Sequence, residues 1–364
     1  MPIKEASFRI GCGRYVQDKG ILSAISEEIL RLGKAPLIVG GKTALALTHD
    51  TIEKSIKEKC NKHEFVVHTG TCNEEDAERV AAFAREKGLD VIVGVGGGVI
   101  MDFAKLCAFY ASLPLINVPT SSATCAAYTP LSVRYTKEGR TVGSKHYSYE
   151  VDAVVVDTDV IATEPVRLFL AGVFDALAKF VEIKQRFRED GTEETPLGLD
   201  YAYYLSKATY RVLTEKTAPA IDEMEKGEVG YDFEQLIYTS ICATGVVSGI
   251  ARGSNQCAIA HKFYETTRTL FHESARPYLH GEIVGIGLLI QNHFNGEEEN
   301  NRELIALMKK HGMPYRPADV GITVNEETIA KYLDIISNSS AVDGKKTEEY
   351  ARFEAALRYL FSLK

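Results

Sequence analysis

Residues 89–105 read LDVIVGVGGGVIMDFAK. An apolar, β-branched run enters three consecutive glycines, and a helical pattern follows at once. Such a join is a strand feeding directly into a helix, the unit from which parallel sheets are built. The same grammar recurs through the first half. APLIVGG (35–41), EFVVHTG (64–70), LPLINVPT (113–120) and AVVVDTDVI (153–161) are short apolar runs of strand type. Between them, NEEDAERVAAFAREKG (73–88) carries apolar residues at helical spacing, acids in its first turn and glycine at its end. Apolar strands separated by helices predict a parallel sheet covered on both faces.

The pattern changes twice. LSVRYTKEGRTVGSKHY (131–147) alternates about Lys137-Glu138-Gly139 and predicts an antiparallel hairpin. From Thr163 the strand signals stop. Pro165 sits at a helix start, and long helical patterns run to the end, among them PVRLFLAGVFDALAKFVEIKQRF and EEYARFEAALRYLFSLK. The expected division is a Rossmann-like α/β domain over 1–162 and an all-α domain over 163–364.

A chain of 364 residues suits two domains. A net charge of -8 with no Lys/Arg block argues against nucleic acid and anionic membranes as partners. The first residues have no apolar signal core, and no run approaches the roughly 18 apolar residues of a membrane helix. Seven scattered cysteines without a CxxC pair exclude a zinc ribbon and suggest no disulfide framework. The expected setting is cytoplasmic, with a small-molecule substrate; a homo-oligomer is left open.

The glycine turn is the first chemical signal. Gly96, Gly97 and Gly98 lack Cβ, so a ligand can approach the backbone closely. The helix behind them presents free N–H groups and a positive dipole end, which suits a pyrophosphate. The turn is neither GxGxxG nor a P-loop. Asp102 and Lys105 follow within the first turn and a half.

The second signal lies in the helical half. AGVFDALAKF (171–180) places Asp175 inside an apolar helix, where a carboxylate needs a partner or a metal. CAIAHKF (257–263) places His261 similarly, and PYLHGEIVGIG (277–287) puts His280 just before Gly281 and a new apolar helix. Each alone reads as a satisfied core residue. Two imidazoles and a carboxylate together make a three-ligand set with an open position, the pattern of catalytic zinc. Such a metal can polarise an alcohol or carbonyl oxygen. His272 reads as surface and His311 as a helix C-terminal residue.

Together, GVGGGVIMDFAK, VPTSSATCAAYTPLSVRY, AGVFDALAKF, AIAHKF and LHGEIVGIG resemble the iron-containing alcohol dehydrogenase superfamily, within it the glycerol dehydrogenase-like branch. The pieces run in family order from about residue 36 to 290. The resemblance implies the dehydroquinate synthase-like/glycerol dehydrogenase-like fold, with a dinucleotide-binding α/β domain and a helical domain that binds metal and substrate. It implies metal ligands at Asp175, His261 and His280, which act in catalysis through the metal. It implies a pyrophosphate over Gly96, Gly97 and Gly98, with Asp102 and Lys105 behind. It places Thr120, Ser121, Thr129, Leu131 and Tyr135 in cofactor positions.

Three departures from the family pattern carry meaning. Cys125 stands where glycerol dehydrogenases carry an Asp that meets the polyol. Gly40-Gly41-Lys42 stands where an Asp often fits the adenosine ribose of NAD; Gly41 leaves room and Lys42 can pair with a 2′-phosphate, so NADP is allowed beside NAD. Tyr264 stands where a second His often follows the first. ATCAAYTPLSV is similar to a narrower group, bacterial hydroxycarboxylate dehydrogenases that reduce 2-oxoacids with NADPH. The expectation is therefore a metal-dependent NAD(P)-linked oxidoreductase acting on a small 2-oxoacid/2-hydroxy acid. Cys125 would face the substrate, and Arg252 or Arg276 would anchor its carboxylate. The alternatives are a glycerol dehydrogenase using NAD, a dehydroquinate synthase-like lyase, and a non-catalytic nucleotide-binding protein. Zinc is the leading metal, with Fe, Ni or Mn allowed.

Overall fold

The computed structural model describes residues 10–187, 197–251, 257–342 and 348–364. They divide into two compact units, Met1–Pro165 with Lys216–Val246, and Val166–Glu215 with Val247–Lys364.

The first unit is built on six parallel strands: β1 (Tyr15–Asp18), β2 (Pro36–Gly40), β3 (Glu64–Val67), β4 (Val91–Gly96), β5 (Leu115–Pro119) and β8 (Ala153–Asp157). Their order is β1-β8-β5-β4-β2-β3. Strands β2, β4, β5 and β8 are buried at every position, which is why they read as unbroken apolar runs. Helices α1 (Ile25–Leu32), α2 (Lys42–Ile56), α3 (Glu74–Glu86) and α4 (Gly98–Ala111) belong to this unit. Ile38, Val93, Val95, Val118 and Val155 form its core with Leu22, Ile25, Ile29 and Ile52. The expected hairpin is present: β6 (Leu131–Tyr135) pairs antiparallel with β7 (Thr141–His146), and Gly139 turns it at φ 87°. Strand β1 has no counterpart in the expectations.

Helix α5 (Val166–Arg186) opens the second unit. Helix α6 (Leu197–Glu225) contains the division between Glu215 and Lys216. Lys216–Val246, expected in the helical half, belongs to the first unit. Helix α7 (Tyr231–Tyr238) shows why: Glu234 accepts a hydrogen bond at its backbone carbonyl from Gln17 Nε2 at 2.9 Å, and Tyr238 meets Tyr15 edge-on with ring centroids 5.6 Å apart. Helix α8 (Thr244–Ala251) crosses back. The second unit continues with α9 (Ile259–Leu270), α10 (His280–Asn295), α11 (Glu299–Lys310), α12 (Glu326–Ser337) and α13 (Glu348–Ser362).

Helix α10 is buried from Gly281 to Asn292 and packs on α5 and α9. Glycine makes this approach possible. A methyl group on Gly281 would fall 1.8 Å from the Ala171 carbonyl oxygen of α5, and one on Gly287 would fall 2.6 Å from that of Ala260 in α9. His311 caps the C-terminus of α11, as its position before Gly312 suggested. Among the described residues, no helix is long and apolar enough to cross a membrane.

Candidate functional site

The three expected ligands meet in the second unit. Asp175 lies mid-helix on α5, His261 in the first turn of α9, and His280 is the first residue of α10. Each offers one donor atom, and all three atoms lie within 4.8 Å of one another. Asp175 Oδ1 is 3.3 Å from His261 Nε2 and 3.3 Å from His280 Nε2. Asp175 and His261 are buried, whereas the His280 side chain is 35% exposed, so the set is closed behind and accessible at one corner.

This donor set fits a divalent cation. Asp175 Oδ1 is buried and makes no hydrogen bond. Leaving such an oxygen unsatisfied costs about 1–3 kcal/mol, more when charged. A cation among the three atoms would satisfy the oxygen and both ring nitrogens together.

Two further charged residues, unremarked in the sequence, complete the surroundings. Glu182 is fully buried on α5. Its Oε2 accepts from His261 Nδ1 at 2.5 Å, and its Oε1 accepts the backbone N–H groups of Ala258 and His261 at 2.7 and 2.9 Å. Lys179, also buried, places Nζ 3.4 Å from His261 Nε2. Asp175, Lys179 and Glu182 are spaced i, i+4, i+7, one face of the helix. Burial alone would raise the Asp175 carboxyl, but Lys179, His280 and His261 outweigh it and hold it well below the usual range. Burial pushes His261 down, but Glu182 outweighs it and the ring is pushed up to about 10. The Glu182 carboxylate thus favours positive charge at this ring.

His280 is held from its own helix end. Glu282 Oε2 accepts the Leu279 backbone N–H at 2.7 Å, and Arg167 grips Glu282 bidentately at 2.6 and 2.7 Å. Tyr264, at the place of the family's second His, sets its ring against His280 with centroids 4.2 Å apart.

The expected cofactor residues lie in the first unit, and Gly41, Gly96, Gly97, Thr120 and Ser121 sit at the carboxyl ends of its strands. Strand order reverses between β2 and β4, where α/β sheets bind ligands. Gly41 follows β2, and its N–H reaches the Val95 carbonyl at 3.3 Å. Gly96 ends β4, and its carbonyl accepts from Thr120 N–H at 3.0 Å. Gly97 caps α4 with no side-chain hydrogen bond at the helix end, and a methyl group on it would meet nothing within 4 Å. The glycine backbone there is open to an anion. Lys42 begins α2, is exposed, and has no acid beside it in the first turn. Ser121 is half-buried after β5, and its Oγ accepts from Ala123 N–H at 3.2 Å.

Other expected residues are braced internally. Asp102 pairs with Lys105 at 2.7 Å through one oxygen and accepts Val133 N–H at 2.9 Å through the other. Lys105 Nζ donates to the carbonyls of Ala126, Thr129 and Leu131. Asp102 and Lys105 therefore tie α4 to the segment 126–133, which is a supporting position behind the glycine turn. Thr129 is buried, and Leu131 and Tyr135 are half-buried on β6. Cys125 is 9% exposed and begins a short 3-10 turn capped by Thr124. Arg276 is exposed and His272 half-buried. Arg252 lies outside the described residues. Glu164 emerges beside this stretch: its carboxylate accepts Ser122 N–H at 3.3 and 3.2 Å and the Ser122 hydroxyl at 2.5 Å.

The profile of the family described as "Iron-containing alcohol dehydrogenase" matches residues 12–158. A glycerol dehydrogenase of Thermotoga maritima is 30% identical over 334 residues, covering 88% of this chain and 86% of its own. Hydroxycarboxylate dehydrogenase A of Escherichia coli is 30% identical over 334 residues, covering 90% and 89%. The crystal structure of glycerol dehydrogenase from Schizosaccharomyces pombe shares the fold at a TM-score of 0.82 and 23% identity, over 97% of this chain and 89% of that one. The chain belongs to the iron-containing alcohol dehydrogenase superfamily, in its glycerol dehydrogenase-like branch. By class it is an alcohol dehydrogenase.

Proposed function

We propose that this protein is a divalent-metal-dependent, NAD(P)-linked dehydrogenase of a small polyol or alcohol, with glycerol or a related vicinal diol as the leading substrate. The convergence of Asp175, His261 and His280 carries the reading. Asp175 Oδ1, His261 Nε2 and His280 Nε2 would hold the ion. Bound there, it would supply Lewis acidity to a substrate oxygen. A nicotinamide cofactor, when bound, would supply or accept the hydride. The chain's own residues do the positioning. Glu182 orients the His261 imidazole, the Arg167–Glu282 pair fixes the start of the helix that carries His280, and the 35% exposure of His280 leaves a side for substrate to enter. Gly96, Gly97 and Gly98 offer backbone to the cofactor phosphates, and Thr120 and Ser121 line their approach. Lys42, with no acid beside it, accommodates a 2′-phosphate, so NADP is accepted as well as NAD. Zinc is the leading metal, with Fe, Ni and Mn compatible with the same donors. None of the seven cysteines, all within the described residues, forms a disulfide, which suits a reducing cytoplasmic setting.

A second substrate reading is a 2-oxoacid/2-hydroxy acid. Two points favour it: Cys125 stands where the family resemblance implies the branch's polyol-contacting Asp, and the Lys179 ammonium lies beside the ligand atoms. A carboxylate substrate at the metal ligands would find a cation in the Lys179 ammonium. The test is initial-rate assay of glycerol with NAD against 2-oxobutyrate or 2-oxoglutarate with NADPH, with and without chelator. Chelator-sensitive glycerol oxidation supports the leading reading; turnover of the oxoacids alone supports the second. No chelator-sensitive turnover of either refutes both.

A further inference from the structure

We propose that Glu182 is the positioning residue of the metal centre, holding His261 in the tautomer that keeps Nε2 available for ligation. The inference rests on the metal reading above. Glu182 is fully buried, and its three hydrogen-bond partners are all donors. Oε1 takes two backbone N–H groups, those of Ala258 and His261, at the start of the helix that carries the ligand. Oε2 takes His261 Nδ1. A bond to a carboxylate requires the hydrogen on Nδ1, and the ligating lone pair is then on Nε2. Nε2 is the atom 3.3 Å from Asp175 Oδ1. The backbone bonds and the ring bond come from one carboxylate, so the ring is held relative to its own helix.

Glutamine has the same shape but a single acceptor oxygen. With that oxygen on the two backbone N–H groups, its amide NH2 faces Nδ1 and donates to it. The ring hydrogen then moves to Nε2, where it blocks ligation. In the opposite orientation the NH2 would face two N–H donors and lose both bonds. Glu182→Gln is therefore expected to keep three hydrogen bonds and the fold, while presenting the wrong face of the imidazole.

The experiment uses the full chain, wild type and E182Q, stripped of metal with a chelator and dialysed. Zinc is then titrated in competition with a chromogenic chelator, and melting is followed with and without zinc. The expected result is one zinc per wild-type chain and a variant whose zinc affinity is about 10- to 100-fold lower. Zinc should raise the melting temperature of the variant less than that of the wild type, each measured from its own metal-free value. Equal zinc affinity in the two proteins overturns the inference. Should E182Q fail to fold, long-range 1H–15N spectra of histidine-labelled wild type decide: the zinc-loaded protein should show His261 with hydrogen on Nδ1 and metal on Nε2, and the reverse overturns the inference. A wild type that takes up no stoichiometric zinc, iron(II), nickel(II) or manganese(II) refutes the metal reading itself. That outcome is distinct from a variant that binds as well as its parent.

Discussion

Replacing Glu164 by glutamine should change how the stability of the protein depends on pH. Glu164 is buried, and burial pushes its carboxyl from the ordinary 4.5 up to about 7, against the pull of hydrogen bonds from Ser122 and Ser121. In the unfolded chain the group titrates near 4.5. Across the window from 4.5 to 7 the native protein therefore holds a proton that the unfolded chain has released. Stability then falls as pH rises through that window, and the loss is complete above the folded value. At about 1.4 kcal/mol per pH unit, the buried charge costs about 1 kcal/mol at pH 5 and about 3 kcal/mol at pH 8. Glutamine keeps an acceptor for Ser122 and carries no charge. Urea unfolding of both proteins at pH 5 and pH 8, at equal ionic strength, should show the variant gaining about 2–3 kcal/mol on wild type between the two. The difference of differences removes any pH-independent cost of the substitution. A gap that stays constant to within about 0.5 kcal/mol refutes the placement of a strained carboxylate beside Ser122.

Two other substitutions separate packing from chemistry. Gly281→Ala sets a methyl group 1.8 Å from the Ala171 carbonyl, so α10 must leave α5 and carry His280 with it. A stability loss on the order of 3–5 kcal/mol, with loss of bound metal, is expected by melting and metal analysis; an unchanged melting curve would contradict the close approach. Lys179→Met removes the ammonium 3.4 Å from His261 Nε2. If a carboxylate substrate is bound, its KM should rise about 10- to 100-fold, the worth of a charge-assisted hydrogen bond, and by clearly more than the KM for glycerol. Equal effects on both substrates in steady-state assays would remove Lys179 from substrate recognition.

What the sequence revealed of the fold follows from burial. Strands β2, β4, β5 and β8 are covered on both faces, so each is an apolar run that stands out without context. Strand β1, Tyr-Val-Gln-Asp at the sheet edge, is half-buried and four residues long, so neither alternation nor a run marks it. The segment Lys216–Val246 reads as helix and is helix, but periodicity does not say which unit a helix joins. Tyr15 and Gln17 decide that, and they lie more than 200 residues earlier.

The same distinction runs through the site. Asp175 was visible because a carboxylate interrupts an apolar helix. Lys179 and Glu182 were equally visible in DALAKFVE, because the i, i+4, i+7 spacing puts them on the face that carries Asp175. Three charges repeated on one face of an otherwise buried helix cannot all be solvated, so they must meet one another or a ligand. What the spacing could not supply is the partner. Glu182 meets backbone N–H groups 76 and 79 residues away, and those bonds exist only because α9 begins there. A ligand candidate read from sequence is thus best judged with the charged residues one and two turns along its helix. The isolated Asp175 fits a capping role as well as a metal, whereas Asp175 with Lys179 and Glu182 on the same face requires a polar centre.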